Sequence, residues 1–286
     1  MNLRGEPVRV GQLCGSHEYA VDAELVAFYA MALDDEHPLH SEFAPPLVFH
    51  SECYRFVGDW YLRNLVGNLH GQQDWELFAP IPVGSRVRTR STVVDRFAKR
   101  GRDYVVNETD VCSADDGKLL VRGRTYQSFL QEGPAPDGFV VDREGAARKP
   151  KRPSFPTAEG PDLEPASMVV DARRCWMFSG PGRNYHTDPG EAKKLGFPTV
   201  VVQGMLSTCL VSRVMERHFG TGWLSGGRMS VKLTNVIWMD EEIQCRARVR
   251  DETPEGGQTR VHCEVWVEKQ GGVLALLGTA SGLRSE

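Results

Sequence analysis

The chain has 286 residues and a net charge of −4, with 41% hydrophobic and 25% charged residues. This composition is typical of a folded globular protein, argues against disorder, and leaves room for two domains or one duplicated fold. Because the basic residues form no strong patch, nucleic acid is not expected as a partner.

The first residues, MNLRGEPVRVGQLCG, lack the apolar core of a signal peptide. No segment approaches the length of apolar sequence that a transmembrane helix needs, so a membrane is not expected as a partner. The seven cysteines are scattered and show no CxxC spacing. Together these features predict reduced thiols in a cytoplasmic protein.

In the first half, residues 22–33 predict an amphipathic helix with Asp22 as its N-cap. The polar stretch DDEHPLH comes next. Residues 44–67 then place apolar side chains near helical spacing and predict a mostly buried helix. Alternation of apolar and polar residues predicts the strands that follow. These strands cover residues 72–80, 85–101 and 102–131.

Residues 132–165 hold seven of the 17 prolines and have no convincing apolar period, so they predict a linker. The segments on either side repeat one order of elements: a polar loop with a histidine, a buried helix, and long strands. In the second half the buried helix is predicted over residues 204–219. The chain is therefore predicted to be an α+β duplication, with repeats over residues 1–131 and 166–286.

Each half places its histidine-bearing loop directly before its buried helix. The start of a helix offers free N–H groups and a partial positive charge, which can hold a carbonyl oxygen that becomes negative during a reaction. A histidine and a carboxylate on the loop can manage a proton or a water nearby. The candidates are Asp35 and His40 in the first loop and His186 in the second.

The second loop, SGPGRNYHTDPGEAKKLGFPTVVVQGM (residues 179–205), resembles a family motif. The motif is S-G-D-x-N-P-x-H-x-D followed by H-G-M, and it marks the MaoC-like dehydratases, also called the hydratase 2 family. LDDEHPLH in the first half resembles the same D-x-N-P-x-H element, as in two-repeat members. The resemblance covers nearly the whole chain except the linker. It implies a double hotdog fold, in which each repeat wraps an antiparallel sheet around a long central helix.

The resemblance also implies an activity. Members of this family add water to 2-enoyl thioesters, or remove it from 3-hydroxyacyl thioesters, carried on coenzyme A or an acyl carrier protein. The implied enzyme is a hydro-lyase without a metal or redox cofactor, in which the motif's Asp and His activate water. A helix-terminal N–H is implied to polarise the thioester carbonyl. The predicted substrate-binding residues are Arg183, Asn184, Tyr185, Gln203 and Gly204.

The chain departs from the motif at important positions. Pro181 stands where the motif has its aspartate, and a proline side chain cannot exchange a proton. Gln203 replaces the histidine of H-G-M. In the first half, Asp35 and His40 keep the spacing of the motif's dyad, with His37 at the position of its asparagine.

Three interpretations of the two loops therefore stay open. In the first, Asp35 and His40 are the working dyad and the second repeat supplies part of the pocket. In the second, His186 works with a carboxylate or amide from elsewhere. Asp188 is one candidate, although its sequence context predicts a helix N-cap. In the third, both sites are degenerate and the chain binds an acyl ligand or scaffolds a partner.

Two further expectations concern metals and assembly. HPLH (residues 37–40) has the H-x-x-H spacing of some metal sites, but no third ligand is evident in the sequence, so no metal is predicted. The edges of two hotdog sheets would be unpaired, which favours a homodimer.

Overall fold

The computed structural model describes residues 9–55, 68–99, 101–130, 141–142 and 155–284. The α-helices are Ala23–Leu33 (α1), Ala172–Ser179 (α2), Pro189–Lys194 (α3), Gly204–Phe219 (α4) and Thr221–Leu224 (α5). The strands before the predicted linker are Leu13–Ala20 (β1), Phe43–Ala44 (β2), Leu69–Leu77 (β3), Ile81–Pro82 (β4), Arg86–Lys99 (β5), Arg102–Ser113 (β6) and Leu119–Leu130 (β7). The later strands are Val141–Asp142 (β8), Ala166–Val169 (β9), Arg228–Leu233 (β10), Glu242–Glu255 (β11), Gln258–Lys269 (β12) and Val273–Arg284 (β13).

One sheet runs through both halves of the described chain. Its main path is β1-β5-β6-β7-β3-β10-β13-β12-β11-β9. The antiparallel pairing of β3 with β10 joins the halves, with Gln73 opposite Val231. The alternating patterns that predict long strands after each buried helix are confirmed, because β5, β6 and β7 pair in order and β11, β12 and β13 do the same.

Helix α4 is the central helix of the second half and begins and ends at the predicted residues. Its apolar side chains, among them Met205, Leu206 and Leu210, are fully buried. A helix that is buried around its whole circumference must satisfy its polar side chains internally. Ser212 does so by accepting a hydrogen bond of 2.9 Å from Trp223 Nε1. Two charged residues, Arg213 and Glu216, are also buried in this helix.

The predicted helix over residues 22–33, with Asp22 as its N-cap, is confirmed by α1. The carboxylate of Asp22 accepts a hydrogen bond of 2.8 Å from the backbone N–H of Leu25, and the helix ends at Leu33. Asp34 follows in the left-handed region with φ of 51°, which short polar residues tolerate better than most. This reversal turns the chain inward, so the next residue, Asp35, is only 3% exposed.

The predicted helix over residues 44–67 differs from the structure where it can be compared. His50–Cys53 forms a single turn of 3₁₀-helix, preceded by the short strand β2. The rest of that prediction, from residue 56 onward, lies outside the described residues.

The end of the predicted linker packs against the second half. Leu163 is 5% exposed and its backbone N–H donates to the Ala247 carbonyl oxygen at 2.9 Å. Glu264 on β12 accepts three hydrogen bonds from this segment. They come from Thr157 N and Oγ1, both at 2.6 Å, and from Ala158 N at 2.9 Å. Residues 155–165 therefore pack against the second-half strands β11 and β12 of the sheet.

The Glu264 contact predicts a pH-dependent stability. Burial would raise the pKa of Glu264, but the hydrogen bonds from Thr157 and Ala158 outweigh burial and lower it. A lowered folded pKa stabilises the fold above the unfolded value of about 4.3, and this stabilisation is lost as the pH falls through the folded pKa. Glu264→Gln is expected to cost about 2 kcal/mol of unfolding free energy at pH 7 and much less near pH 3.

Denaturant unfolding at both pH values measures this difference. Glu268→Gln on the same strand is the control. Its carboxylate is partly exposed and lies 3.7 Å from Arg246, so a change below about 1 kcal/mol is expected. A Glu264→Gln effect that is the same at both pH values would contradict the assignment.

Candidate functional site: a carboxylate–histidine cluster between the two halves

The first histidine-bearing loop is held by its own backbone and side chains. The N–H groups of Asp34 and Asp35 both donate to the Ala30 carbonyl oxygen, which fixes the exit from α1. Pro38–Ser41 then forms a 3₁₀ turn, and His37 Nδ1 accepts a hydrogen bond of 3.3 Å from Leu39 N at its start. His37 therefore acts as a cap, and the turn that it caps carries His40 inward.

The partner of His40 comes from the other half of the chain. His40 Nε2 donates to Glu216 Oε1 at 3.1 Å, and the two side chains are 8% and 2% exposed. Arg213 lies three residues before Glu216, so both project from one face of α4. Arg213 Nη1 donates to the Leu33 carbonyl oxygen at 2.6 Å, and its Nε lies 3.8 Å from Asp35 Oδ1. The predicted dyad of Asp35 and His40 is thus assembled against Glu216 and Arg213.

Burial and charge act in opposite directions on the protons of this cluster. Burial raises the pKa of Glu216 and of Asp35, although the positive charge of His40 acts against it in both cases. Burial alone would lower the pKa of His40, but the hydrogen bond and charge of Glu216 outweigh it, and the pKa is raised. Since the three groups interact closely, they titrate as one unit that holds a proton more strongly than isolated side chains.

The two candidate histidines lie at opposite ends of α4. His186 contacts the chain just before this helix, where its Nδ1 donates to the Val201 carbonyl oxygen at 2.7 Å. His40 contacts Glu216, which is twelve residues after Gly204, or about 18 Å along the helix axis at 1.5 Å per residue. The structure therefore does not bring His40 and His186 together in one site.

The ring of His186 forms no ion pair with a carboxylate of the described residues. Burial lowers its pKa, so the neutral ring is favoured. Tyr185 packs on the ring with centroids 3.9 Å apart. Pro181, at the position of the motif's aspartate, is exposed, and so that position faces solvent in this loop.

The other residues of the second loop hold the loop itself. Asp188 caps α3, as predicted, by accepting from Glu191 N at 3.0 Å, and it also pairs with Arg183 at 2.9 Å. Arg183 is 76% exposed in this pair. The side chain of Asn184 donates to the Ser179 carbonyl oxygen at 3.0 Å and accepts from His186 N at 2.8 Å. The carboxylate that was one candidate partner of His186 is thus committed to a helix cap.

The start of α4 is closely packed. The side chain of Gln203 does not cap the helix, and its Oε1 is buried without a hydrogen-bond partner. A Cβ on Gly204 would meet Leu233 Cδ2 at 2.2 Å and His70 Nδ1 at 3.4 Å. His70 Nδ1 in turn accepts from the Tyr54 hydroxyl at 2.5 Å, and burial lowers its pKa to about 4. The absence of a side chain at Gly204 makes room for Leu233 and His70.

Residues 165–270 match the family model for the MaoC like domain. These residues form a MaoC-like domain. The resemblance of the second loop to the MaoC-like dehydratases is therefore confirmed for this part of the chain.

Solved structures confirm the fold prediction. A structure named MaoC-like dehydratase is 19% identical, has a TM-score of 0.76, and is covered over 99% of its length by 98% of this chain. A Mycobacterium tuberculosis protein described as a double hotdog fold is 13% identical with a TM-score of 0.62, over 96% of each chain. The MaoC-like domain thus lies in an α+β double hotdog.

The chain is also similar to part of a much longer protein. The peroxisomal hydratase-dehydrogenase-epimerase of Saccharomyces cerevisiae is 23% identical over 203 residues, which are 65% of this chain. The chain spans only 21% of that relative's length. Every helix of the described residues is too short or too polar to span a membrane.

Glu216 and Arg213 are the cluster residues that the sequence patterns miss. They lie far along the chain from Asp35 and His40, and only the fold brings the four together. A signal was present, because SRVMERHF places three charged residues, Arg213, Glu216 and Arg217, in an otherwise apolar central helix. A buried charged side chain needs a partner, and that requirement points to a polar site.

The contact between His40 and Glu216 predicts a change in titration. Glu216→Gln removes the charge that raises the pKa of His40 and leaves burial, which lowers it. We expect the pKa of His40, followed by histidine NMR, to fall in this variant. The pKa of His186, at the other end of α4, is the internal control and is expected to stay constant. An unchanged pKa of His40 would contradict the contact.

Proposed function

We propose that this chain is a hydro-lyase that interconverts 2-enoyl and 3-hydroxyacyl thioesters at the cluster of Asp35, His40 and Glu216. The main support is that Asp35, His40 and Glu216 meet in one buried place. The MaoC-like domain and the hydratase named among its relatives support the reaction class. The first of the three interpretations, in which the second repeat completes the first repeat's site, is the one that this geometry favours.

The burial of the cluster supports a chemical role. Two buried carboxylates, a histidine and an arginine are costly to remove from water, and well-packed apolar residues often stabilise a core as well or better. Ionisable groups with shifted pKa values are enriched at reaction centres. Their presence in the apolar helix α4 and its neighbouring loop therefore argues for a function beyond stability.

The reaction needs a group that takes a proton from water and a group that gives one to the α-carbon. We assign Asp35 to take the proton from the water, and the pair of Glu216 and protonated His40, joined through His40 Nε2, to give a proton to the α-carbon. Proton exchange within the cluster then restores both groups. Glu216 accepts from the same nitrogen, so it holds the ring in place and exchanges the proton with it. Arg213, 3.8 Å from Asp35, offsets the negative charge of the two carboxylates.

His186 has a different proposed role. Its Nδ1–H is committed to Val201, no described carboxylate pairs with it, and Asp188 is committed to α3. We propose that the second loop stabilises the start of α4 and that Arg183, Asn184 and Tyr185 serve that loop. The predicted substrate contacts at Gln203 and Gly204 stay proposals.

Four other expectations from the sequence also stay proposals. They are the carrier of the acyl group, as coenzyme A or an acyl carrier protein, the reaction without a metal or redox cofactor, the homodimer, and the cytoplasmic location. A catalytically silent protein that binds an acyl ligand is the second candidate. The loss of a carboxylate beside His186 favours it, because one of the two loops has clearly lost the motif's acid.

Substitutions at the two ends of α4 test the proposal. Loss of enoyl thioester absorbance is followed with short, medium, branched and dicarboxylic 2-enoyl thioesters. His40→Ala and Asp35→Asn are each expected to lower kcat at least about 100-fold, because a positioned acid or base contributes that much or more. Glu216→Gln is expected to lower kcat more than it changes KM, since it acts on the proton transfer.

His186→Ala is the matched control at the other end of the helix. It is expected to retain more than about a tenth of the activity, which is less loss than removal of a general base causes. A protein that is inactive on all substrates, or one that loses activity with His186→Ala and keeps it with His40→Ala, would contradict the proposal.

A further inference from the structure

The cluster also has the composition of a metal site. One ligand atom each from Asp35, His40 and Glu216 lie within 4.8 Å of one another, and Asp35 and Glu216 are 3% and 2% exposed. Asp35 Oδ1 is buried and accepts no hydrogen bond. The sequence shows H-x-x-H spacing in this loop without a third ligand, and α4 supplies a carboxylate from the other half of the chain.

The spacing of the atoms suits a small transition-metal ion. Bonds of about 2.0–2.2 Å to nitrogen and carboxylate oxygen, in a tetrahedron, place ligand atoms about 3.4 Å apart. His40 Nε2 and Glu216 Oε1 are 3.1 Å apart, so a small side-chain movement opens the required gap. Rotation of the Asp35 carboxylate completes a face of three ligands and leaves the fourth position to water. An imidazole nitrogen and two carboxylate oxygens are ligand atoms of the types that bind Zn²⁺ in proteins.

The charges also suit a cation. With the histidine neutral, Asp35 and Glu216 carry two negative charges, and Arg213 carries one positive charge 3.8 Å from Asp35 Oδ1. Metal binding displaces the proton that the cluster holds, and the surplus negative charge that then remains is buried, where water screens it poorly. The guanidinium of Arg213 is held in place by the hydrogen bond from its Nη1 to the Leu33 carbonyl oxygen.

We propose that Asp35, His40 and Glu216 bind one Zn²⁺ ion, and that the bound ion and the acyl thioester exclude each other. The exclusion rests on the proposed function, since the same three side chains would handle the reacting water. Zinc is then an inhibitor of this site. No step of the reaction needs it.

Calorimetric titration of the full chain with ZnCl₂, after treatment with a chelator, tests the binding. One ion per chain is expected. Loss of an outer-shell partner alone weakens metal sites by about 10–100-fold, so Glu216→Gln, which removes a ligand, is expected to weaken binding at least about 100-fold. His40→Ala is expected to do the same. Glu216→Gln preserves the shape of the side chain, so the test holds even if His40→Ala fails to fold.

His262→Ala is the control for binding at the surface. His262 Nε2 is partly exposed and lies 3.9 Å from Asp251 Oδ1, which makes it a second histidine–carboxylate pair. Its loss is expected to leave the stoichiometric site unchanged. Absence of one-to-one binding, or binding that survives Glu216→Gln, would overturn the metal site.

The enzyme assay separates this inference from the proposed function. Turnover that is inhibited by zinc and restored by a chelator supports both. Zinc binding by a protein without turnover on any thioester supports the metal site and contradicts the hydro-lyase. Turnover that zinc leaves unchanged, under conditions where calorimetry shows a filled site, overturns the exclusion.

Discussion

The hydrogen bond between His40 and Glu216 is the contact on which the site depends. It joins a loop of the first half to the central helix of the second half, and both side chains are almost completely buried. A charged group in such a place is tolerated only with a partner. The loop must therefore close on α4, and the helix must present Glu216 at the position where the loop arrives.

The packing of the two halves provides that geometry. Pairing of β3 with β10 makes one sheet, so the helix of one half lies beside the loop of the other. Asp34 reverses the chain after α1 and directs Asp35 and His40 toward the C-terminal end of α4. The N-terminal end of the same helix faces His186. The duplicated fold thus creates two separate candidate sites, about 18 Å apart along α4. The acidic side chains lie together at only one of them.

Local features were predictable from the sequence because they depend on neighbouring residues. Asp22 and Asp188 cap their helices as the residue types and spacings indicate, and α4 has the predicted bounds. The Asp35–His40 pair could be named from its resemblance to a motif. Glu216 could not be assigned to it, because that contact depends on the fold that brings α4 to the loop. Only the presence of charged residues in an apolar helix hinted at it.

The difference between local features and contacts that depend on the fold also explains the second loop. NYHTD resembles an active-site loop, but Asp188 is committed to a helix cap and Pro181 faces solvent, so resemblance in spacing does not reproduce the motif's chemistry. The space beside Gly204 is filled, although a glycine at this position suggests room for a ligand. Glycine at a helix start can admit a ligand, yet here Leu233 and His70 occupy the position that a side chain would take. Which atoms fill the space is a tertiary property.

A crystal structure of the Glu216→Gln variant with a bound 2-enoyl thioester would show which end of α4 holds the acyl group. We expect the β-carbon of the acyl group to lie next to His40 and Asp35, within reach of one bridging water, at the C-terminal end of α4. An acyl group bound beside His186, at the start of α4, would contradict it.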